Sequence, residues 1–244
     1  MAETFLALFA AHLAGDFILQ PRRLLDHKRN PLVLLLHVGL VTLTSAVLLG
    51  GWHVPVLSVI FITHLLMDAV KVYLLPKTTA SFLLDQAVHV LVIAALAITY
   101  APAFNDGTWP ALLGDSQDLF LRLLALASGL IASVLVGGIL IDMATRNLIA
   151  QLPDDAQGLK YGLKNGGRYI GWLERALIML LYLIGEPSGI GFLLTAKSIL
   201  RFGEVKESSQ RKAAEYIIIG TLMSFGWALL VAVLTARGMA LWPM

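Results

Sequence analysis

The sequence predicts an all-α protein, a polytopic transmembrane helix bundle of about eight helices, or seven, with both termini outside the cytoplasm. Of its 244 residues, 58% are hydrophobic and 14% are charged, whereas about a quarter of the residues of soluble domains are charged. The mean hydropathy is +0.79. This composition excludes an ordinary soluble enzyme. The pI of about 8.9 follows from basic loops and does not indicate nucleic-acid binding.

Apolar windows justify each predicted helix, because about 20 apolar residues cross the hydrocarbon core of a bilayer. Such windows lie at roughly 4–20, 32–50, 54–75, 81–102, 119–144, 168–185, 188–203 and 214–236, the seventh being short. The connecting segments alternate in charge. Lysine and arginine occur at 22–30, 146–168 and 201–212 but not at 50–54, 104–118 or 185–189. The positive-inside rule therefore places the basic loops in the cytoplasm.

The same pattern predicts the domain organisation. We expect a four-helix membrane block rich in His and Asp at 1–103 and an external loop at 104–118. A second four-helix membrane block follows at 119–244. It includes an amphipathic cytoplasmic connection at 152–168, which would lie along the membrane surface.

A polar stripe interrupts the first apolar window. In HLAGDFILQ, His12, Asp16 and Gln20 recur every four residues and so share one helix face. An ionisable residue inside a membrane is by default part of a functional site with a partner. The next helices supply candidate partners at the same spacing or as single residues: His37, His64 with Asp68, and Asp85 with His89.

These seven side chains predict a metal site. At about 1.5 Å per residue, the predicted topology places all of them at one level, roughly 6–11 Å inside the cytoplasmic boundary or one turn deeper. Imidazole and carboxylate ligands suit zinc, our first expectation, or manganese or iron(II). The chain has no cysteine, so thiolate sites are excluded. The expected metal ligands are His12, Asp16, His37, His64, Asp68 and His89.

Three alternatives stay open for this cluster. Seven candidates exceed the three protein ligands of a typical catalytic zinc, so either two metals share the site or some residues only orient the ligands. The third alternative is that the polar groups satisfy one another and hold helices together. Asp85 is the expected proton acceptor. Lys71 either pairs with Asp68 or serves the catalytic site by holding an anionic substrate group.

Polar residues around the site predict contacts to a substrate or its headgroup. Gln20 and Gln86 are expected to hydrogen bond beside the metal. In the second block, Arg175, Lys197 and Arg201 would form a basic pocket for a phosphate or lipid headgroup. The alternative is an ion-pair network that fixes the fold, because pairing is how membranes tolerate charge.

Several motifs together resemble a known family. They are H-L-x-G-D-F-x-L-Q, H-x-x-x-D-x-x-K and F-x-x-D-Q-x-x-H in the first block, then IGWLERALI, GIGFLLTAKSILRFGE and AEYIIIGTLMSF. The chain resembles the bacterial membrane-protein family designated domain of unknown function 3307. The resemblance implies a multi-pass protein of the bacterial inner membrane, without an established activity. Residues 12–89 are similar, more loosely, to membrane-bound metal-dependent hydrolases.

Three functions compete on this evidence. The first is a metal-dependent hydrolase acting on a lipid or isoprenoid ester or phosphoester near the cytoplasmic interface. The second is a proton- or metal-ion-coupled transporter, although the outer halves of the first four helices are nearly all apolar. The third is a structural or sensory protein that works with a membrane companion. A homodimer is a further option.

Overall fold

The computed structural model describes residues 1–150, 165–202 and 211–243, and every regular element in these ranges is helical. The predicted all-α class is therefore confirmed. A 3₁₀ turn at Gly114–Ser116 and a π-helical segment at Ile131–Val136 accompany the α-helices. In chain order these are α1 (Ala2–Phe17), α2 (Arg22–Asp26), α3 (Pro31–Leu49), α4 (Val54–Tyr73), α5 (Thr79–Thr99), α6 (Trp109–Leu113), α7 (Gln117–Leu130), α8 (Gly137–Ile149), α9 (Gly166–Leu183), α10 (Ser188–Phe202) and α11 (Arg211–Met239).

Within the described residues, five helical stretches are long and apolar enough to cross a membrane. They are Pro31–Leu49, Val54–Tyr73, Thr79–Thr99, Trp109–Arg146 and Ala214–Met239. The other predicted windows correspond to α1, α9 and α10, of 16, 18 and 15 residues. The membrane-like character is thus confirmed, while eight crossings and the orientation of the termini stay predictions. The connection predicted at 152–168 lies mostly outside the described residues.

Two capping side chains and one glycine mark the ends of α3 and α5. The Asn30 side chain accepts a hydrogen bond of 2.9 Å from the backbone N–H of Leu32, which caps the start of α3. Thr78 caps α5 in the same way, accepting from the N–H of Ser81 at 3.2 Å. At the other end of α3, Gly50 has φ of +73°, a conformation natural to glycine at a helix C-terminus.

The described residues divide into two compact units. The first comprises residues 1–131 and 238–244, and the second residues 132–237. In the first unit, α1 packs against α3, α5 and α7, and α4 packs against α3 and α5. The polar faces of α1, α3, α4 and α5 therefore meet. In the second unit, α9 packs against α8 and α10. The domain division at 103 and 119 stays a prediction.

Gly15 allows α1 and α3 to approach closely beside Asp16. A Cβ atom at Gly15 would lie 2.6 Å from Cγ2 of Val41 and 3.3 Å from its Cα. Because the second contact is to backbone, repacking of a side chain alone would not relieve it. The small residue therefore sets the distance between Asp16 and the helix that carries His37.

We expect Gly15→Ala to lower the free energy of unfolding by about 1–3 kcal/mol, the usual effect of overpacking. Thermal unfolding of the purified protein in detergent measures this change. Gly39→Ala in α3 is the matched control, because an added Cβ there meets no atom within 4 Å and alanine favours a helix. Equal stabilities of the two variants would contradict the close approach.

Candidate metal centre

The structure brings the seven predicted His and Asp residues into one buried cluster in the first unit. Six of them are at most 3% exposed, and the Asp16 side chain is 8% exposed. The cluster draws on four helices, each through the face that points inward. They contribute His12 and Asp16 from α1, His37 from α3, His64 and Asp68 from α4, and Asp85 and His89 from α5.

Three atoms at the centre of this cluster have the spacing of metal ligands. The Nε2 atoms of His37 and His64 are 3.2 Å apart, and they lie 3.3 and 3.6 Å from Oδ2 of Asp68. Tetrahedral zinc with bonds of about 2.0–2.1 Å separates its ligand atoms by about 3.3–3.4 Å. Oδ1 of Asp16 lies 3.3 Å from the same two nitrogens. A divalent cation therefore fits between two imidazoles, with two carboxylates in reach.

Gln86 fixes the tautomer of His12. The amide nitrogen of Gln86 donates to Oδ2 of Asp85 at 2.9 Å, so its oxygen faces Nε2 of His12 at 3.2 Å. An amide oxygen only accepts hydrogen bonds, so neutral His12 carries its proton on Nε2. Its Nδ1 then presents a lone pair 3.8 Å from Oδ2 of Asp16. With Asp16 and His64, His12 forms one of the three potential metal-binding groups found in the described residues.

Two lysines neutralise two of the three carboxylates. Lys28, which is buried, places Nζ 2.9 and 2.8 Å from the two oxygens of Asp68. Lys71 forms an ion pair with Oδ2 of Asp85. The alternative that Lys71 pairs with Asp68 is therefore wrong, because Lys71 reaches across to α5 while Lys28 occupies Asp68. Tyr73 helps to position the Lys28 loop by donating to the carbonyl of Arg29 at 2.8 Å.

Asp16 is the carboxylate of the cluster that no lysine neutralises. Its ion-pair partners within the described residues are the imidazoles of His12, His37 and His64. A buried carboxylate in an apolar bundle needs a positive partner. That partner is either a protonated imidazole or a bound cation. Nitrogen and oxygen donors without sulfur fit zinc, manganese or iron(II).

The residues predicted to form a headgroup pocket differ from one another in their partners. Lys197 forms a 2.6 Å ion pair with Glu174, as the ion-pair alternative expected. Buried Arg175 instead donates to neutral acceptors, Oγ of Ser224 at 3.1 Å and the carbonyl of Val134 at 3.0 Å. The side chain of Arg201 lies outside the described residues. In the first unit, Gln20 is buried and its Nε2 has no hydrogen-bond partner within the described residues. The headgroup pocket stays a prediction.

The described residues define the class of protein: an all-helical protein with membrane-spanning character and with His/Asp groups whose spacing could hold a metal. Residues 4–109 match the family model described as "Protein of unknown function (DUF3307)". The match contains the whole His/Asp cluster and confirms the family resemblance there. The motifs quoted from 170–225 lie beyond it. No curated protein and no solved structure matches the chain.

We expect Lys28→Met to lower the free energy of unfolding of chelator-treated protein by about 3–5 kcal/mol, because it leaves Asp68 buried without its ammonium partner. Denaturant unfolding in detergent measures the loss. Lys77→Met, at an exposed lysine, is the control and should change stability by less than about 1 kcal/mol.

The ion pair itself is tested by combining Lys28→Met with Asp68→Asn. The double variant buries no charge at this position, so it should recover most of the lost stability. A double variant as unstable as Lys28→Met would show that the lysine acts through packing of its aliphatic chain.

Proposed function

We propose that this protein is a metal-dependent membrane hydrolase that cleaves a lipid or isoprenoid phosphoester at the cytoplasmic side of a bacterial inner membrane. The observation that supports it best is the triangle formed by His37, His64 and Asp68, whose edges of 3.2–3.6 Å match the ligand spacing of a tetrahedral metal site. Polar side chains at this spacing cost free energy in an apolar bundle. Their presence therefore favours a functional site. Zinc is the expected cation, with manganese or iron(II) as alternatives.

The cation would supply a nucleophile, because a bound divalent metal lowers the pKa of water toward 7. Asp16 and Asp68 hold negative charge next to the two imidazoles. Oδ1 of Asp85 lies 3.3 Å from Nε2 of His89. Asp85 is the candidate proton acceptor. The candidate metal ligands and the candidate proton acceptor all belong to α1, α3, α4 and α5.

The partly exposed ammonium group of Lys71 supports a phosphate as the part of the substrate that the site recognises. Its side chain is 32% exposed, whereas that of Lys28 is 9% exposed. The ion pair with Asp85 occupies one of the three ammonium donors, which leaves two for an incoming anion. A phosphoester therefore suits this edge of the site better than a neutral ester.

A second candidate is a proton- or metal-ion-coupled transporter, and one cavity favours it. About 20 Å³ in volume, the cavity has room for one water molecule. Its polar lining comes from three imidazoles, those of His12, His64 and His89, and from two hydroxyls, those of Ser45 and Thr63. The remaining lining is apolar: Leu8, Val41, Ile60, Val92 and Ile93. A water held there could relay a proton among the imidazoles, which is what favours the transporter; hydrolysis remains the preferred function.

Metal content tests the proposal first. Detergent-purified protein reconstituted with zinc or manganese should hold near-stoichiometric metal by mass spectrometry, and His64→Ala and Asp68→Asn should lose most of it because each removes a ligand. His27→Ala and Asp26→Asn are matched controls at exposed positions and should retain the wild-type content. Folded wild-type protein that binds no metal would overturn the proposal.

Activity is then measured as release of inorganic phosphate from phosphatidic acid and from isoprenyl phosphates in mixed micelles. We expect release that depends on metal and is lost in His64→Ala. Metal-loaded protein that releases no phosphate but carries protons or metal ions across proteoliposomes would favour the transporter.

A further inference from the structure

The cluster contains a second set of potential ligands that shares no residue with the first. Asp16, Asp85 and His89 offer ligand atoms that all lie within 4.8 Å of one another, as do His37, His64 and Asp68. We propose that Asp16, Asp85 and His89 bind a second divalent cation, and that Asp16 bridges the two metals. This inference rests on the metal centre proposed above and deepens it.

The ligand atoms of this second site are buried, and within the described residues they make no hydrogen bond. Oδ1 of Asp85 and Nε2 of His89 are 3.3 Å apart, and neither makes a hydrogen bond within the described residues. The two residues occupy positions i and i+4 of α5, so they face the same direction. Burial of polar atoms without partners is unfavourable. A cation between them would satisfy both atoms at once.

The neighbours of Asp85 leave the metal-facing atom free. Lys71 and Gln86 both contact Oδ2 of Asp85, so Oδ1 stays available beside His89. A carboxylate held in this way has a fixed orientation, as ligands oriented by their neighbours do in metal sites. In a dinuclear centre Asp85 would therefore bind the second cation, whereas in a mononuclear centre it would remain the candidate proton acceptor.

Asp16 is placed to bridge the two cations. Its Oδ1 lies 3.3 Å from Nε2 of both His37 and His64, and it makes no hydrogen bond within the described residues. The same residue belongs to the group with Asp85 and His89. Two metals about 3.5–4 Å apart form the centre of many phosphoester hydrolases, where they stabilise both the attacking and the leaving oxygen.

The charges of the cluster indicate the class of ligand that such a pair would take. Three carboxylates and two ammonium groups leave one negative charge, which two divalent cations convert to three positive charges. A hydroxide and a phosphomonoester dianion together supply three negative charges. A phosphomonoester therefore balances the dinuclear centre in a medium that tolerates little net charge.

Metal stoichiometry and electron paramagnetic resonance of manganese-loaded protein test this proposal without measuring activity. We expect two manganese ions per wild-type chain with an exchange-coupled spectrum. Asp85→Asn and His89→Gln should each retain one ion and give the six-line spectrum of isolated manganese. Asp26→Asn, at an exposed acid, should keep two coupled ions. The elution profile in size-exclusion chromatography confirms that each variant is folded.

The outcomes of this experiment separate failure of the second site from failure of the proposed function. One ion per wild-type chain with an uncoupled spectrum would overturn the second site and leave the mononuclear hydrolase standing. Two ions without coupling would overturn the bridging role of Asp16. No bound metal in folded protein would overturn the second site together with the proposed function.

Discussion

The first unit depends on how three buried carboxylates are neutralised in an apolar bundle. Asp68 and Asp85 each have a lysine, and Asp16 has imidazoles. An unpaired charge in such surroundings is strongly unfavourable, and removing one partner of a buried pair commonly destabilises a protein by about 3–5 kcal/mol. The packing of α1, α3, α4 and α5 is therefore tied to the charge state of the cluster.

The second unit meets the same constraint with different chemistry. Glu174 is neutralised by Lys197 at 2.6 Å, but Arg175 relies on Oγ of Ser224 and on the carbonyl of Val134. Val134 belongs to the π-helical segment, where the backbone departs from regular α-helical hydrogen bonding. A carbonyl there can accept from a side chain of another helix. A carbonyl of the π-helical segment and a serine hydroxyl, rather than a carboxylate, thus accept hydrogen bonds from the Arg175 guanidinium.

The sequence predicts the helices and the members of the cluster because both follow from local patterns. Apolar windows locate α3, α4 and α5 within about three residues, since membrane spans have a defined length. A spacing of four places His12 with Asp16 on one helix face. The lysine partners are not local: Lys28 approaches Asp68 through a loop whose course depends on Asn30 and Tyr73. Sequence spacing offers Asp68 as one of two possible partners of Lys71, the other being a substrate anion, whereas the fold pairs Lys71 with Asp85.

The geometry around Asp16 favours a cation over a proton as its positive partner. The Nε2 atoms of His37 and His64 face each other at 3.2 Å, so protonating both would bring two positive groups into contact. Neutral imidazoles protonated on Nε2 could each donate to one carboxylate, but their two N–H groups would then face each other at the same 3.2 Å. A divalent cation accepts lone pairs from both nitrogens and both carboxylates. It would therefore bind both nitrogens and Oδ1 of Asp16 at once, beside the Asp68 carboxylate that Lys28 already contacts.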